Sequence, residues 1–405
     1  MDHQFNCLEL FAGCGGLGYG FHKHGFNIEV CNELEQPIAD TYKANFIGTN
    51  VIVGDITKDE IKQSIYQHFT DKDCDVIIGG PPCVAYSMSG QRNSRDPRGQ
   101  LFRDYVDTVK HLKPKAFVME NVKGILTMMH DKPVLTKDEQ IIADKYYQLE
   151  QKKIDILAKK KNLSSKDKDI NDNYLSDVEQ NKKDLNLVLS QLKTLEKNSS
   201  LFRMNVTDII KNTFIELGYK VEMKLLNSAN YGVPQKRERV IFIGVRNDIS
   251  KDIVYPTETH SKEGILGTLK WVSVKDAIDD LKDRKGDNSN NTEGIQHIYT
   301  CHSSEFIAKI KKTPQGKSVN PKYTEAFFRC KQDEPSNTVK ENHGGVFIHY
   351  EKDRVMTPRE LARLQSFPDD FKFKGTKSKI LVQLGNAVPC GLSFAIAQEI
   401  KNILL

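Results

Sequence analysis

The chain has 405 residues, of which 38% are hydrophobic and 28% charged, with a net charge of +5; this balance excludes wholesale disorder and leaves room for a large core with an appended lobe. No run of about 18 apolar residues occurs, and Met1 to Leu10 lacks a basic stretch leading into an apolar core, so neither a membrane span nor a secretion signal is expected. The eight cysteines, at 7, 14, 31, 74, 83, 301, 330 and 390, form no CxxC pair, which argues against a zinc site or disulfide framework and for a reducing, cytoplasmic setting.

From the amino terminus, short apolar runs recur, each followed by a turn and a helical pattern: Cys7 to Phe11, Ile28 to Cys31, Val51 to Val53, Val76 to Ile78 and Ala116 to Met119. This rhythm predicts an α/β fold with a doubly wound, mostly parallel sheet whose functional residues gather at the carboxyl ends of the strands. After the first run, Phe11-Ala12-Gly13-Cys14-Gly15-Gly16-Leu17-Gly18 opens a helical pattern. Its glycines let the backbone approach a ligand and leave helix amino-terminal N–H groups pointing at it. Glu33 lies 20 residues after Gly13, at the end of the second run, the position from which a carboxylate reaches ribose hydroxyls. Asp55, in Gly54-Asp55-Ile56, is an acceptor suited to an adenine amino group; a surface acid and a helix cap are the plainer readings of these two residues. The loop lacks the lysine and hydroxyl of a triphosphate-binding motif, which leaves a dinucleotide or S-adenosylmethionine.

The fourth run leads through Gly79-Gly80 into Pro81-Pro82-Cys83. Two prolines stiffen the backbone and present a thiol at the sheet edge, a place for a nucleophile, although a lone cysteine is also a common small core residue. The following segment, Val84 to Leu101, is basic and turn-rich and reads as a lid over phosphates, with Ser87, Arg92, Arg95 and Arg98 as its phosphate-contacting candidates. Glu120-Asn121-Val122 ends the fifth run.

Residues 131 to 200 break the rhythm, with 14 Lys, 13 Asp plus Glu, one proline and no glycine. Ile142, Tyr146, Leu149 and Ile156 mark one helix, and Leu175, Val178, Leu185, Leu189 and Leu192 mark a second, with a polar turn at Ser164 to Asp172. The prediction is an antiparallel helical hairpin inserted into the catalytic domain, either a solvated insertion or a contact with DNA or a partner. Strand patterns resume at Tyr219 to Leu226 and Val240 to Val245. Residues 247–350 read as a smaller irregular lobe, and from Arg354 helix and strand patterns return to complete the first domain. The domains are therefore 1–246, 247–350 and 351–405.

With Gln235-Lys236-Arg237-Glu238-Arg239, Arg354 to Pro368 and Gly385-Asn386-Ala387-Val388 added, these motifs stand in one linear order in which the chain resembles a bacterial DNA (cytosine-5) methyltransferase of the restriction-modification type. The resemblance covers nearly everything outside 131–200 and 255–330. It implies a Rossmann-like methyltransferase fold, S-adenosyl-L-methionine as cofactor, double-stranded DNA as substrate, and residues 247–350 as the target-recognition domain. It implies Cys83 as nucleophile at carbon 6 of a flipped cytosine, Glu120 on ring nitrogen 3, Arg239 on the exocyclic oxygen, and Arg237 supporting it or a phosphate. The cofactor residues implied are Phe11, Gly13, Gly15, Gly16, Leu17, Glu33, Asp55, Ile56, Pro81, Leu101, Asn386 and Val388. No metal is called for, a monomer is expected, and a cognate restriction endonuclease would act separately. One departure stands out: Val84 follows Cys83 where the family often has glutamine, so an amide able to hydrogen-bond inside the opened duplex is absent. A tRNA cytosine-5 methyltransferase shares the catalytic set, and an inactive DNA-binding regulator is the reading from another class.

Overall fold

The computed structural model describes residues 5–82, 101–165, 172–287, 295–322, 326–340 and 347–405. Its central feature is a seven-stranded sheet in the order β3-β2-β1-β4-β5-β9-β8. The strands are β1 (Phe5–Leu10), β2 (Phe26–Glu33), β3 (Asn50–Val53), β4 (Val76–Gly79), β5 (Ala116–Val122), β8 (Tyr219–Asn227) and β9 (Glu238–Arg246). The first five are parallel, and β9 runs antiparallel to both β5 and β8. All seven strand predictions coincide with these strands. The central ones are continuous apolar runs because both faces of a parallel sheet are covered, so alternation is lost and length and flanking turns carry the signal.

Helices α1 (Gly16–Lys23), α2 (Gln36–Asn45), α3 (Asp59–Gln67) and α4 (Leu101–Leu112) connect the parallel strands. In α4 the buried Tyr105 hydroxyl donates to Ile77 O at 2.9 Å and Val118 O at 3.0 Å, pinning the helix across β4 and β5. The carboxyl-terminal segment supplies α10 (Pro358–Leu364), α11 (Lys377–Asn386) and α12 (Cys390–Leu404). It adds helices and no sheet strand among the described residues, so the strand part of that expectation is corrected: its apolar positions fall at helical spacing, as Leu392, Ile396, Ile400 and Ile403 on α12 show by their burial. Thr357-Pro358-Arg359-Glu360 starts α10 with a capping box, and Arg354 forks onto the buried Glu360 at 2.8 and 2.7 Å. Phe367, Phe371 and Phe373 pack together behind the glycine loop in the same core as Leu17 and Phe21.

The chain divides into two compact units, Met1–Ile125 with Thr213–Leu405, and Leu126–Asn212. Residues 247–350 fall in the sheet-containing unit, threaded by short pieces: β10 (His260–Ser261), β11 (Leu269–Lys270), α8 (Val274–Ile278) and α9 (Ser304–Lys311). The second unit holds the long helices α5 (Lys137–Ser165) and α6 (Asp172–Glu196), closed at the base by the antiparallel pair β6 (Met129–Asp131) and β7 (Arg203–Asn205). Its own core joins Ala143, Tyr146 and Ile156 to Val188, Leu192 and Phe202. The apolar stripe of α6 thus runs through Leu185, Val188 and Leu192, and Val178 and Leu189 are exposed. Val188 and Leu189 both fit three-and-four spacing with Leu185 and Leu192, and packing within this unit's core buries the first and leaves the second exposed. No single described helix is long and apolar enough to cross a membrane.

Candidate active site

The carboxyl edge of the parallel strands, with the starting edge of antiparallel β9, encloses a cavity of about 620 Å³ in the sheet-containing unit. One half is built by the first three strand ends. Beyond β1 the chain turns through Phe11 and Gly13, both at positive φ, and Gly15 caps α1 at φ 91°. Gly15 does not line the cavity: a Cβ there would lie 2.4 Å from the Phe46 ring, so its glycine serves the turn and the packing beneath it. Gly16 does line it, and a Cβ there would sit 2.2 Å from Val388 O; the close approach brings the segment after α11 against the start of α1.

Glu33 is fastened to the loop. Its Oε2 accepts the Gly13 N–H at 2.9 Å and its Oε1 accepts the Glu35 N–H at 2.9 Å. Burial raises its carboxyl above the usual range, and these backbone bonds pull the other way. Asp55, exposed at the rim, accepts both the backbone N–H and the hydroxyl of Thr57 on Oδ1, at 3.0 and 2.9 Å, which lowers its pKa. It therefore caps a turn and faces the cavity at once. Ile56, Leu17, Leu101, Asn386 and Val388 complete this half of the lining with Phe11 and Gly13.

The other half follows β4 and β5. Pro81 and Pro82 line the cavity, and the buried Asn121 donates its side-chain N–H to Pro81 O at 3.3 Å, fixing the turn from the neighbouring strand. Cys83, Ser87, Arg92, Arg95 and Arg98, together with Val84, lie outside the described residues. Antiparallel pairing places Val122 opposite Arg239 and Glu120 opposite Ile241. Glu120 and Arg239 are thus diagonal neighbours on one face, and Arg239 Nε lies 2.6 Å from Glu120 Oε1 with the two side chains 12% and 13% exposed. Glu238 points elsewhere, to Lys123 at 2.9 Å, so the arginines are not its surface partners.

Arg237 differs from its sequence expectation. It is 1% exposed and donates through Nη1 to Val339 O and through Nη2 to Gly385 O, each at 2.9 Å. Burial and the Arg239 charge press against its protonated form. A guanidinium spent on two carbonyls braces Val339 and Gly385 instead of a phosphate, although Arg237 also borders the cavity; it precedes β9, and the carbonyls that approach it set this role. Gln235, fully buried, extends this bracing by donating to Leu364 O at 3.1 Å and Gln365 Oε1 at 2.8 Å and accepting Val339 N–H at 2.8 Å. Arg237→Leu leaves two buried carbonyls unpaired and is expected to cost about 2–5 kcal/mol of stability, read as a lowered denaturation midpoint, with Arg237→Lys restoring only part.

Glu9 went unread in the sequence. It lies inside β1, 1% exposed, lines the cavity, and accepts Gly18 N–H at 2.9 Å and Tyr42 O–H at 2.6 Å. A single acid within an otherwise apolar strand was the available signal. Burial pushes its carboxyl up from the ordinary 4.5 to about 8. Because the folded pKa is the higher one, the folded state holds a proton that the unfolded chain gives up, and stability is lost as pH rises from about 4.5 to about 8. Glu9→Gln keeps an acceptor for Gly18 and a donor for Tyr42, so its melting temperature should decline less than that of the parent over this window. Leu34, 64% exposed at the cavity rim, was also unread, since one apolar residue after a strand carries no pattern.

The glycine-loop residues, Glu33, Pro81, Glu120, Arg239 and Asn386 thus meet in one cavity, with motifs drawn from both ends of the chain. A model of C-5 cytosine-specific DNA methylases matches residues 5–152 and 190–402. The chain belongs to this family. The Type II methyltransferase M1.HphI of Haemophilus parahaemolyticus is 32% identical over 98% of the chain and 86% of its own length, and M.NgoPII of Neisseria gonorrhoeae is 30% identical over 98% and 95%. A crystal structure from an Escherichia coli prophage, assigned as a DNA modification methyltransferase, superposes with a TM-score of 0.65 at 22% identity over 99% of both chains. That of the Schizosaccharomyces pombe Dnmt2 methyltransferase gives 0.52 at 15% over 99% and 100%. These two likenesses are of fold. As a cytosine-specific DNA methylase the protein is an enzyme, and the part its family model passes over, residues 153–189, is the far end of the α5–α6 hairpin.

Proposed function

We propose that this methylase transfers a methyl group from S-adenosyl-L-methionine to carbon 5 of a cytosine flipped out of double-stranded DNA, through a covalent adduct of Cys83 at carbon 6. The observation that carries this reading is the Glu120–Arg239 pair at one end of a cavity whose other end is the glycine loop with Glu33. The cavity volume lies within the roughly 300–1,000 Å³ of small-molecule sites. Its lining suits an adenosine-bearing cofactor: Phe11, Leu17, Ile56, Leu101 and Val388 are apolar, Glu33 and Asp55 offer acceptors at separate strand ends, and Gly13, Gly16 and Asn386 border the remainder. When bound, this cofactor supplies an electrophilic methyl sulfonium.

Carbon 5 of cytosine is a poor nucleophile. Cys83, as thiolate, forms a bond to carbon 6 and drives the ring electrons toward carbon 5, while Glu120 shares a proton with ring nitrogen 3 and Arg239 donates to the exocyclic oxygen. Arg239 thereby serves both the base and Glu120, holding the carboxyl group in place. Once carbon 5 carries the methyl group, its proton departs to a base, the pair of electrons re-forms the double bond, and the Cys83 sulfur leaves. Asn121 holds the Pro81 turn, from which the chain leads on to Cys83. Flipping the base costs a few kcal/mol of pairing and stacking, and Ser87, Arg92, Arg95 and Arg98 would offset it through phosphate contacts.

In this reading 1–246 and 351–405 form the catalytic domain and 247–350 reads the target sequence. We take the enzyme to be cytoplasmic and monomeric and to protect host DNA beside a separate cognate restriction endonuclease. The decisive experiment is incubation with cognate duplex containing 5-fluorocytosine. Fluorine cannot leave as a proton, so a Cys83-linked protein–DNA adduct should accumulate in the presence of S-adenosylmethionine. Bisulfite sequencing of host DNA identifies that duplex beforehand, and tRNA assayed in parallel tests the other substrate; absence of the adduct on a methylated site would sink the covalent step.

A further inference from the structure

The far half of α5 is strongly basic. Between residues 145 and 161 it carries six lysines against two acids, Glu150 and Asp155, an excess close to the +5 of the entire chain. Lys145, Lys152 and Lys159 recur every seven residues and are all exposed. Seven residues turn a helix to within about 20° of two full turns, so the three form one row with steps of about 10.5 Å, alongside the stripe that packs on α6. Surface charges of a helix usually neutralise one another at a spacing of four. Here the acids are held by glutamines instead: Gln140 donates to Asp144 at 2.9 Å, Gln151 to Asp155 at 3.0 Å and, on α6, Gln180 to Asp184 at 2.9 Å. Glu150 pairs with Lys153 at 3.3 Å, outside the row. Among the described residues none of the three row lysines has a carboxylate partner.

We propose that the row Lys145–Lys152–Lys159 is a second, sequence-independent contact with the phosphate backbone of duplex DNA. The proposal rests on the reading of double-stranded DNA as substrate. A duplex presents a negative charge about every 1.7 Å along its axis, and its major groove is about 12 Å wide. Lysines stepped by about 10.5 Å on flexible stems match phosphates on the two rims of such a groove. Point charges without a forked geometry give affinity and no base readout. The hairpin would therefore hold DNA of any sequence and leave target choice to the other unit.

Duplex binding is measured against salt concentration for the full-length protein, for Lys145→Gln/Lys152→Gln/Lys159→Gln, and for Lys182→Gln/Lys183→Gln/Lys193→Gln, which removes the same charge from exposed positions of α6. Each lost phosphate contact lowers the slope of log K against log salt by about 0.9, so the row variant should fall by about 2.7, equally on cognate and random duplexes, and the α6 variant should not change. Circular dichroism of both variants confirms that the helices persist, and a row variant that lost helicity would be replaced by single Lys152→Gln, with an expected fall of about 0.9. A fall of less than half the expected size, or an equal fall in both variants, overturns the proposal. If the parent protein methylates and binds duplex DNA while the row variant matches it, only this inference fails. If the parent neither binds nor methylates a duplex, the substrate reading itself has failed.

Discussion

Cys83→Ala is expected to leave no measurable methyl transfer, a loss of at least about 10⁴-fold in kcat, because in the proposed mechanism no other group supplies the electrons that make carbon 5 nucleophilic. In the proposed reading the cofactor half of the cavity is lined by Phe11, Gly13, Gly16 and Leu17, by Glu33, Asp55 and Ile56 at the ends of β2 and β3, and by Asn386 at the end of α11. Binding of S-adenosylmethionine, followed by calorimetry, should therefore be unchanged. Duplex affinity should be retained as well, since phosphate contacts do not depend on the thiol. A Cys83→Ala protein that still methylated would remove covalent catalysis from consideration and leave only direct transfer.

Glu120→Gln is expected to lower kcat by about 10²–10⁴-fold with little change in KM for DNA. The amide keeps the size of the side chain and an oxygen for Arg239 Nε, now 2.6 Å from the carboxylate, so the pair survives as a contact. What it loses is a transferable proton for ring nitrogen 3. Glu120→Ala does more: it strands the half-enclosed Arg239 guanidinium without a counter-charge, so thermal stability should fall together with rate. Steady-state kinetics beside thermal melts separate the two variants. Melting temperatures of both variants equal to the parent's would show that the ion pair contributes nothing to the fold.

The seven strands were legible because a buried parallel strand is a short apolar run bounded by turns, and Val76-Ile77-Ile78 or Ala116 to Met119 leaves little else to choose. The residues of the cavity were legible for a related reason. Strand ends in this fold lead to one edge, so Glu33, Asp55, Pro81 and Glu120 could be placed together before any coordinate. Chemistry-bearing residue types in linear order were enough to indicate the family and its reaction.

Three-dimensional packing decided the rest. Arg237 and Arg239 stand two residues apart with the same side chain and both border the cavity, yet the first is spent on Val339 O and Gly385 O while the second meets Glu120. That division depends on which carbonyls approach from residues more than 100 positions away, which no local pattern records. Glu9 is the same kind of case: burial in the folded chain raises its pKa against the hydrogen bonds from Tyr42 and Gly18, which pull it down. Gly15 and Gly16 were equivalent as letters, but Phe46 lies under one and Val388 against the other. The sequence by itself determined the order of elements and the family, because these follow from periodicity and from chemical type in linear order. Only the tertiary structure assigned each charged or small residue to bracing or to the cavity, because that depends on long-range contacts that desolvate one side chain and leave its neighbour open.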